Sequence, residues 1–232
     1  MVAAVLFDLF DTLVYCDHSG SERAEEDIIV FLRSRNPGVS PAGYRALRGK
    51  YHVGITTGRL SWSEANGLIL GELEVDQGNL KMFDDLVRES FGKNLRVYPD
   101  AKGVLSSLKE WGMKLGLVSN CGDGTFDTLK ENGLDVFDSY GLSNEVGVRK
   151  PDPKIYLKVT DELDVSPKDC VFVSDEIFED LVGAKRLGMR TIHIQRKDRG
   201  GIFDVDPDKR VIEPDASVNR LQDLMSIVRG WR

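Results

Sequence analysis

Two different hydrophobic patterns divide the chain. Near the N-terminus and again from residue 98 onward, short continuous apolar runs alternate with segments whose apolar residues recur at helical spacing. Between them, from about residue 22 to residue 92, only the helical spacing is present. Alternating strands and helices predict an α/β fold, in which a parallel sheet is covered by helices on both faces. The middle block predicts a separate bundle of helices.

The predicted strands are apolar runs that stop at polar residues. They lie at 5–7, 114–118, 170–173 and 191–194. The helices that accompany them are predicted at 100–111, 125–132, 178–187, from Asp152-Pro153 onward, and from Val218 to the end of the chain. This order indicates a Rossmann-like, doubly wound parallel sheet, which we expect to occupy residues 1–15 and 96–232.

The middle block carries clear helix-start signals. Ser40 precedes a proline at the first helical position, and Ser61 with Glu64 has the spacing of a capping box. Four amphipathic helices with short connections predict a four-helix bundle. Because this block interrupts the α/β chain directly after its first strand, we expect residues 16–95 to form an inserted cap. The expected hinges are residues 14–16 and 95–99, where the chain crosses between the two domains.

Composition excludes several classes of function. A formal net charge of −7 argues against a nucleic-acid surface, and no apolar run is long enough to span a membrane. The N-terminal residues lack the basic start of a signal peptide, so we expect a cytoplasmic protein. The 3 cysteines fit reduced thiols better than disulfides or a zinc site. The charged segment 196–210 is expected to be a solvated loop.

Polar residues gather where the predicted strands end. Parallel strands bring their carboxyl ends to one edge of the sheet, and ligands bind at that edge. The residues placed there are Asp8, Ser119, Asn120, Lys150, Asp175, Glu176 and Asp180. Two like charges ~4 Å apart cost about 4 kcal/mol at an effective dielectric constant near 20, so clustered carboxylates should either take up a proton or bind a cation. Oxygen ligands favour Mg²⁺.

The same edge suits a phosphate group. Ser119 and the amides before the following helix can donate hydrogen bonds to an anion, and Lys150 adds a positive charge. Asp8 would then lie beside an electrophilic phosphorus atom and could attack it. We therefore expect a small phosphorylated molecule as the binding partner, with neither nucleic acid nor membrane involved.

These motifs resemble those of the haloacid dehalogenase superfamily, and the resemblance runs through nearly the whole chain. Four motifs occur in the family's order, at 7–13, 118–120, 149–156 and 174–180. The helical block at 22–92 is similar to the helical cap that subfamily I inserts after its first motif. The order and spacing of all four motifs together carry the resemblance, since any one of them alone is common.

The resemblance implies a role for each residue at the sheet edge. Asp8 would be the nucleophile, Ser119 and Asn120 would bind the transferred group, and Lys150 would neutralise both that group and Asp8. The family pattern also implies a Mg²⁺ cofactor.

The metal ligands implied by the family pattern are Asp8, the main-chain carbonyl of Phe10, and Asp175. Asp180 would support the same metal site.

One position departs from the phosphatase pattern. Family phosphatases have an aspartate two residues after the nucleophile, which protonates the leaving oxygen, but this chain has Phe10 there. The family's 2-haloacid dehalogenases also have an aromatic residue at that position, yet they need no metal and lack the acid that this chain keeps at Asp175. The retained acid, with Glu176 beside it, favours a Mg²⁺-dependent phosphatase that forms an aspartyl-phosphate. Two alternatives are a 2-haloacid dehalogenase and a catalytically weak phosphate-binding protein.

The loop at 56–61 of the middle block offers two further candidates. Arg59 could bind an anionic substrate from the cap, and Trp62 could close over it. The alternative is that Trp62 packs as core at one end of the bundle.

Overall fold

The structure is a computed structural model, and it describes residues 1–196 and 212–232, except for the side chains of residues 18, 19, 21, 91 and 93. Apart from Arg196, the predicted charged loop 196–210 lies outside the described residues. No helix in the described ranges combines the length and the apolar character that a membrane crossing requires.

Six parallel strands form the central sheet. The strands in the described ranges are β1 (Ala4–Phe7), β2 (Val14–Cys16), β3 (Leu95–Val97), β4 (Lys114–Ser119), β5 (Ser139–Leu142), β6 (Cys170–Ser174), β7 (Arg190–Ile194) and β8 (Ala216–Val218). The sheet has the order β5-β4-β1-β6-β7-β8, with every neighbouring pair parallel. This arrangement confirms the predicted Rossmann-like α/β fold, and it places β1 at the centre, between β4 and β6.

Helices pack against the sheet on both faces. The described α-helices are α1 (His18–Arg33), α2 (Pro41–Thr56), α3 (Trp62–Glu72), α4 (Leu80–Asn94), α5 (Ala101–Glu110), α6 (Thr125–Glu131), α7 (Ser143–Val146), α8 (Pro153–Glu162), α9 (Asp180–Arg186) and α10 (Leu221–Trp231). Val5 and Phe7 pack in the cluster that includes α5 and α10. Leu6 packs in the opposite cluster, with α8 and α9. β1 is therefore apolar at successive positions because both of its faces are buried.

Some element boundaries differ from the sequence prediction. The strands β5 and β8 were not predicted, because β5 contains a serine and a glycine and β8 has only 3 residues. Val218 belongs to β8, so the last helix begins at Leu221 instead. α9 begins at Asp180 and not at residue 178.

The four helices of the middle block share a core of their own. Ile28, Leu32, Tyr44, Ile69 and Phe83 are buried together there, apart from the two clusters that flank the sheet. The capping signals are confirmed: Ser40 accepts a hydrogen bond from the Gly43 amide, and Ser61 with Glu64 forms a capping box.

Both chain crossings into this block run side by side. The two segments expected to be hinges pair as an antiparallel ribbon of β2 and β3. The separate core and this narrow connection support the division into a cap at 16–95 and an α/β domain, which we keep as a proposal.

Candidate active site

The centre of the site is a buried ion-pair cluster at the carboxyl end of β1. The Asp8 amide donates a hydrogen bond to the Val173 carbonyl at 2.9 Å, which extends the pairing of β1 with β6 by one residue. Lys150 Nζ lies 2.5 Å from Asp8 Oδ1 and 2.6 Å from Asp180 Oδ2. Ser174 Oγ donates a further hydrogen bond to Asp180 Oδ2, at 2.7 Å. Asp8, Lys150 and Asp180 are each at most 5% exposed.

Burial and neighbouring charges shift the pKa values of Lys150 and Asp180 in opposite directions. Burial alone would lower the pKa of Lys150, but the charges of Asp180 and Asp8 outweigh it and hold the pKa above its usual value. Burial raises the pKa of Asp180 to about 7, against the lowering effect of the Lys150 charge. Lys150 therefore stays positive between two carboxyl groups whose negative charges it makes tolerable.

Asp175 is held beside this cluster by Thr12. The Thr12 hydroxyl accepts a hydrogen bond from the Asp175 amide at 3.1 Å and donates one to Asp175 Oδ1 at 3.3 Å. Asp11, next to Thr12, adopts a left-handed conformation with φ of 55°, which turns the chain sharply after β1. The sequence analysis assigned no role to Thr12, although it lies within the first motif.

Ser119 and Asn120 follow β4, the strand next to β1. Ser119 Oγ is fully buried and has no hydrogen-bond partner among the described residues, so it is available to form a hydrogen bond with a ligand. Asn120 instead binds the main chain of Lys150: its Oδ1 accepts from the Lys150 amide at 2.8 Å, and its Nδ2 donates to the Lys150 carbonyl at 3.4 Å. This geometry gives no support to direct substrate binding by Asn120, because both ends of its amide already position Lys150.

Glu176 caps the start of α9. One oxygen accepts from the Phe178 amide at 2.7 Å, and the other accepts from the Glu179 and Asp180 amides at 2.6 and 2.9 Å. A carboxylate whose two oxygens both accept amide hydrogens positions the helix and Asp180 with it. This arrangement argues against Glu176 as a substitute proton donor.

Phe10 packs against apolar side chains. It is partly buried on the core cluster and lines a narrow crevice with Val14, Leu95 and Leu129. Its main chain forms an isolated bridge with Val14, inside the turn that follows β1. The described residues that line this crevice with Phe10 include no ionisable side chain that could replace the missing acid.

Trp62, unlike Arg59, contacts the loop that follows β4. The Trp62 amide donates to Asp123 Oδ1 at 2.9 Å, and a Cβ atom on Gly122 would lie 2.5 Å from the indole Nε1. Trp62 therefore packs against the segment just beyond Ser119. Arg59 is exposed, and its Nε donates to Thr57 Oγ1 at 2.9 Å within its own loop.

The donor set fits a hard divalent cation. Within the described ranges, no group of three or more His, Cys, Asp or Glu side chains is arranged to hold a metal. The family pattern, however, needs only two carboxylates and one main-chain carbonyl, namely Asp8, Asp175 and the carbonyl of Phe10. Asp8 and Asp175 directly follow the neighbouring strands β1 and β6 and are both buried. Oxygen donors of this kind are those that Mg²⁺ prefers.

Comparison with known proteins extends the motif resemblance. Residues 2–188 match the haloacid dehalogenase-like hydrolase family. The chain is 30% identical to a glyceraldehyde 3-phosphate phosphatase of Methanopyrus kandleri, over 99% of this chain and 98% of that protein. It is 34% identical to (S)-2-haloacid dehalogenase 4A of Burkholderia cepacia, over 59% of this chain and 57% of that protein.

A solved structure shows the same likeness in three dimensions. The crystal structure of a HAD phosphatase from Thermococcus onnurineus superposes with a TM-score of 0.70 at 26% identity, covering 99% of both chains. The family match, the full-length relative and the residues at the sheet edge agree. The chain belongs to the haloacid dehalogenase-like hydrolases.

Proposed function

We propose that this protein is a Mg²⁺-dependent phosphatase that hydrolyses small-molecule phosphate monoesters through an aspartyl-phosphate on Asp8. The observation that carries the proposal is the pairing of Asp8 with Lys150 near the Ser119 hydroxyl, which has no hydrogen-bond partner in the described part of the chain. A phosphoryl group seated there would meet a nucleophile, a positive charge and a hydrogen-bond donor together. The full-length phosphatase relative supports the same substrate class.

The residues divide the reaction between them. A carboxylate oxygen of Asp8 forms a bond to phosphorus while the bond from phosphorus to the ester oxygen breaks, which leaves an acyl phosphate and an alkoxide or aryloxide that takes a proton from water. Water then attacks the phosphorus of the acyl phosphate, the bond from phosphorus to Asp8 breaks, and inorganic phosphate and the Asp8 carboxylate are released with a proton lost to solvent. Lys150 and Ser119 hold the phosphoryl oxygens during both steps, and Asp180 and Asn120 hold Lys150 in place.

The proposed metal ligands are Asp8, the carbonyl of Phe10 and Asp175. Bound there, Mg²⁺ would neutralise the charge that develops on the phosphoryl group. Asp180, which the sequence analysis expects to support the metal site, enters the proposal by holding Lys150, because its Oδ2 accepts hydrogen bonds from Lys150 and Ser174.

A second candidate, 2-haloacid dehalogenase activity, is favoured by Phe10 and by the dehalogenase relative. The test offers p-nitrophenyl phosphate and 2-chloropropionate to the enzyme, each with Mg²⁺ and with EDTA. We expect phosphate release that disappears with EDTA. Chloride release without phosphate release would overturn the proposal in favour of a dehalogenase. Silence on both substrates would leave a phosphate-binding protein.

A further inference from the structure

One face of α2 is turned toward the α/β domain. Arg48, His52 and Ile55 lie at positions i, i+4 and i+7 of this helix, which places them on one side. Ile55 marks where that side points: a Cβ atom on Gly122, in the loop after β4, would lie 2.7 Å from Ile55 Cγ2. One and two turns before this contact, His52 and Arg48 are exposed on the same side of the helix.

A third basic side chain, from the α/β domain, lies near this side of α2. Arg149 directly precedes Lys150, and its Nε is buried with no hydrogen-bond partner in the described part of the chain. Partial burial first, then the positive charges of Arg149 and Arg48, lower the pKa of His52. Arg149 and Arg48 therefore both lie within electrostatic range of His52 on α2.

Arg48 also lies near the ribbon of β2 and β3, which contains Cys16. Arg48 also acts on the Cys16 thiol: burial is the main cause that raises the pKa of Cys16, the charge of Asp11 adds to it, and the charge of Arg48 opposes it. The cationic wall, defined as Arg48 and Arg149 with the neutral His52 near both, thus extends from the β2–β3 ribbon to the residue beside Lys150.

The other cations of α2 are used differently. Arg45 pairs with Glu25, and Lys50 Nζ lies 2.8 Å from Glu72 Oε1. Among the described residues, Arg48 has no such ion pair with an acidic side chain. Arginine side chains without a carboxylate partner are suited to bind a carboxylate of a ligand, since the guanidinium group matches a carboxylate in shape and charge.

We propose that the cationic wall binds a second negative group of the substrate, so that the enzyme selects small phosphate monoesters that also carry a carboxylate. This inference rests on the proposed function, because it takes the phosphate of the same molecule to lie at Asp8 and Lys150. The buried cluster would bind the phosphoryl end of the substrate, and the cationic wall would bind the carboxylate at the opposite end.

The test compares two substrates that differ only at that end. 3-Phosphoglycerate carries a carboxylate where glyceraldehyde 3-phosphate carries an uncharged aldehyde, and the leaving oxygen is a primary alkoxide in both. We expect kcat/KM to be higher for 3-phosphoglycerate. Arg48→Met and Arg149→Met should each reduce the ratio of the two kcat/KM values roughly 10- to 100-fold, the usual effect of losing a hydrogen bond between charged groups.

Two controls define the outcome. Lys50→Met removes a positive charge from the same helix but from the Glu72 pair, so it should leave the ratio unchanged. Arg149→Lys, which keeps the charge, should retain part of the preference if Arg149→Met folds poorly. Raising the salt concentration should also reduce the ratio, because exposed charges are screened. An equal or higher kcat/KM for the aldehyde, or an equal loss for both substrates in Arg48→Met, would overturn the cationic wall.

A binding measurement separates this inference from the proposed function. Calorimetry on the Asp8→Asn protein reports the affinity for both compounds without turnover. If neither compound is hydrolysed by the parent enzyme but 3-phosphoglycerate binds more tightly, and Arg48→Met in the same background removes that preference, then the proposed function fails and the wall stands. If both compounds bind equally, the wall is refuted whatever the parent hydrolyses.

Discussion

The sheet edge and the exposed face of α2 both carry charged groups, but they hold them in opposite ways. At the sheet edge, Asp8, Lys150 and Asp180 are at most 5% exposed and are joined by short ion pairs. On α2, Arg48 and His52 are exposed to solvent. The buried groups are fixed before a substrate arrives, which is what bond-making chemistry requires. The exposed groups can adapt to the free end of a ligand.

This difference predicts that mutations in the two regions should have different effects on stability and activity. Changes at the sheet edge should affect stability and chemistry together, since each charge there balances another. Changes on the α2 face should affect substrate choice with little effect on stability, because surface substitutions rarely move it by more than about 0.5 kcal/mol.

The largest expected effect is that of Asp8→Asn. An amide cannot form the acyl phosphate, so we expect kcat to fall by roughly 10³-fold or more, as when other enzymes lose their nucleophile. The fold should survive, because Lys150 keeps Asp180 as a partner. The measurement is phosphate release with Mg²⁺, together with circular dichroism. Substantial turnover in the folded variant would remove the covalent mechanism.

Lys150→Ala should produce the next largest effect. It leaves Asp8 and Asp180 buried without their shared cation, a change that typically costs about 3–5 kcal/mol. The loss should depend on pH. In the parent, the Lys150 charge already opposes the burial that raises the pKa of Asp180 to about 7, so without Lys150 this pKa should rise further.

The sign of the pH effect follows from proton binding. When the folded pKa of a carboxyl group exceeds its unfolded value, the folded state binds more protons and is favoured at low pH. The Lys150→Ala protein should therefore lose little stability near pH 5 and much more near pH 8, as urea unfolding at each pH would show. Lys154→Ala removes an exposed lysine nearby and serves as the control. An equal loss at both pH values would contradict the coupling of the pair.

The sequence predicted the sheet edge better than the α2 face, for a physical reason. The carboxyl ends of parallel strands must meet, so the positions of Asp8, Ser119 and Asp175 follow from local pattern alone. The orientation of α2 depends on the packing of Ile55 and Trp62 against the loop after β4, and no local pattern encodes that contact.

The roles of individual polar groups were also beyond the sequence. Asn120 and Glu176 lie at the predicted edge, but their partners are main-chain groups whose directions only the folded backbone fixes. The strand β5 was not predicted because Ser139 and Gly141 interrupt its apolar pattern. Gly141 is nevertheless required there, since a Cβ atom would approach the Ile155 carbonyl to 2.8 Å.

The absence of a general acid at Phe10 should determine which phosphate esters the enzyme hydrolyses fastest. Without an acid at this position, the parent should hydrolyse aryl and acyl phosphates much faster than alkyl phosphates. A general acid contributes about 10²–10⁴-fold, most of all for basic leaving groups. Phe10→Asp should raise alkyl ester hydrolysis relative to aryl ester hydrolysis, by at most roughly 10²-fold because the new carboxyl group enters an apolar crevice.

The measurement is kcat/KM for a series of leaving groups in the parent and in Phe10→Asp, with Phe10→Leu as an apolar control. We expect the variant to melt at a lower temperature as well, since its carboxyl group must be partly desolvated. A flat dependence on the leaving group in the parent would mean that another acid is already in place.

The smallest effect should come from Gly122→Ala, which acts where the two regions touch. The added methyl group would lie 2.5 Å from Trp62 Nε1 and 2.7 Å from Ile55 Cγ2, closer than real Cβ contacts allow. Both atoms belong to side chains of the middle block, so we expect the turn between α2 and α3 to move away from the site. Overpacking of this kind typically costs about 1–3 kcal/mol. Because the displaced contact joins the two regions, the cost should appear as a several-fold lower kcat/KM, while the melting temperature of the α/β domain changes little.

Trp62→Leu in the same background removes the closest ring atoms and should restore part of the lost activity. If Gly122→Ala matches the parent in both kcat/KM and melting temperature, Trp62 and Ile55 do not pack against this loop in solution. The placement of the α2 face that carries the cationic wall would then be wrong.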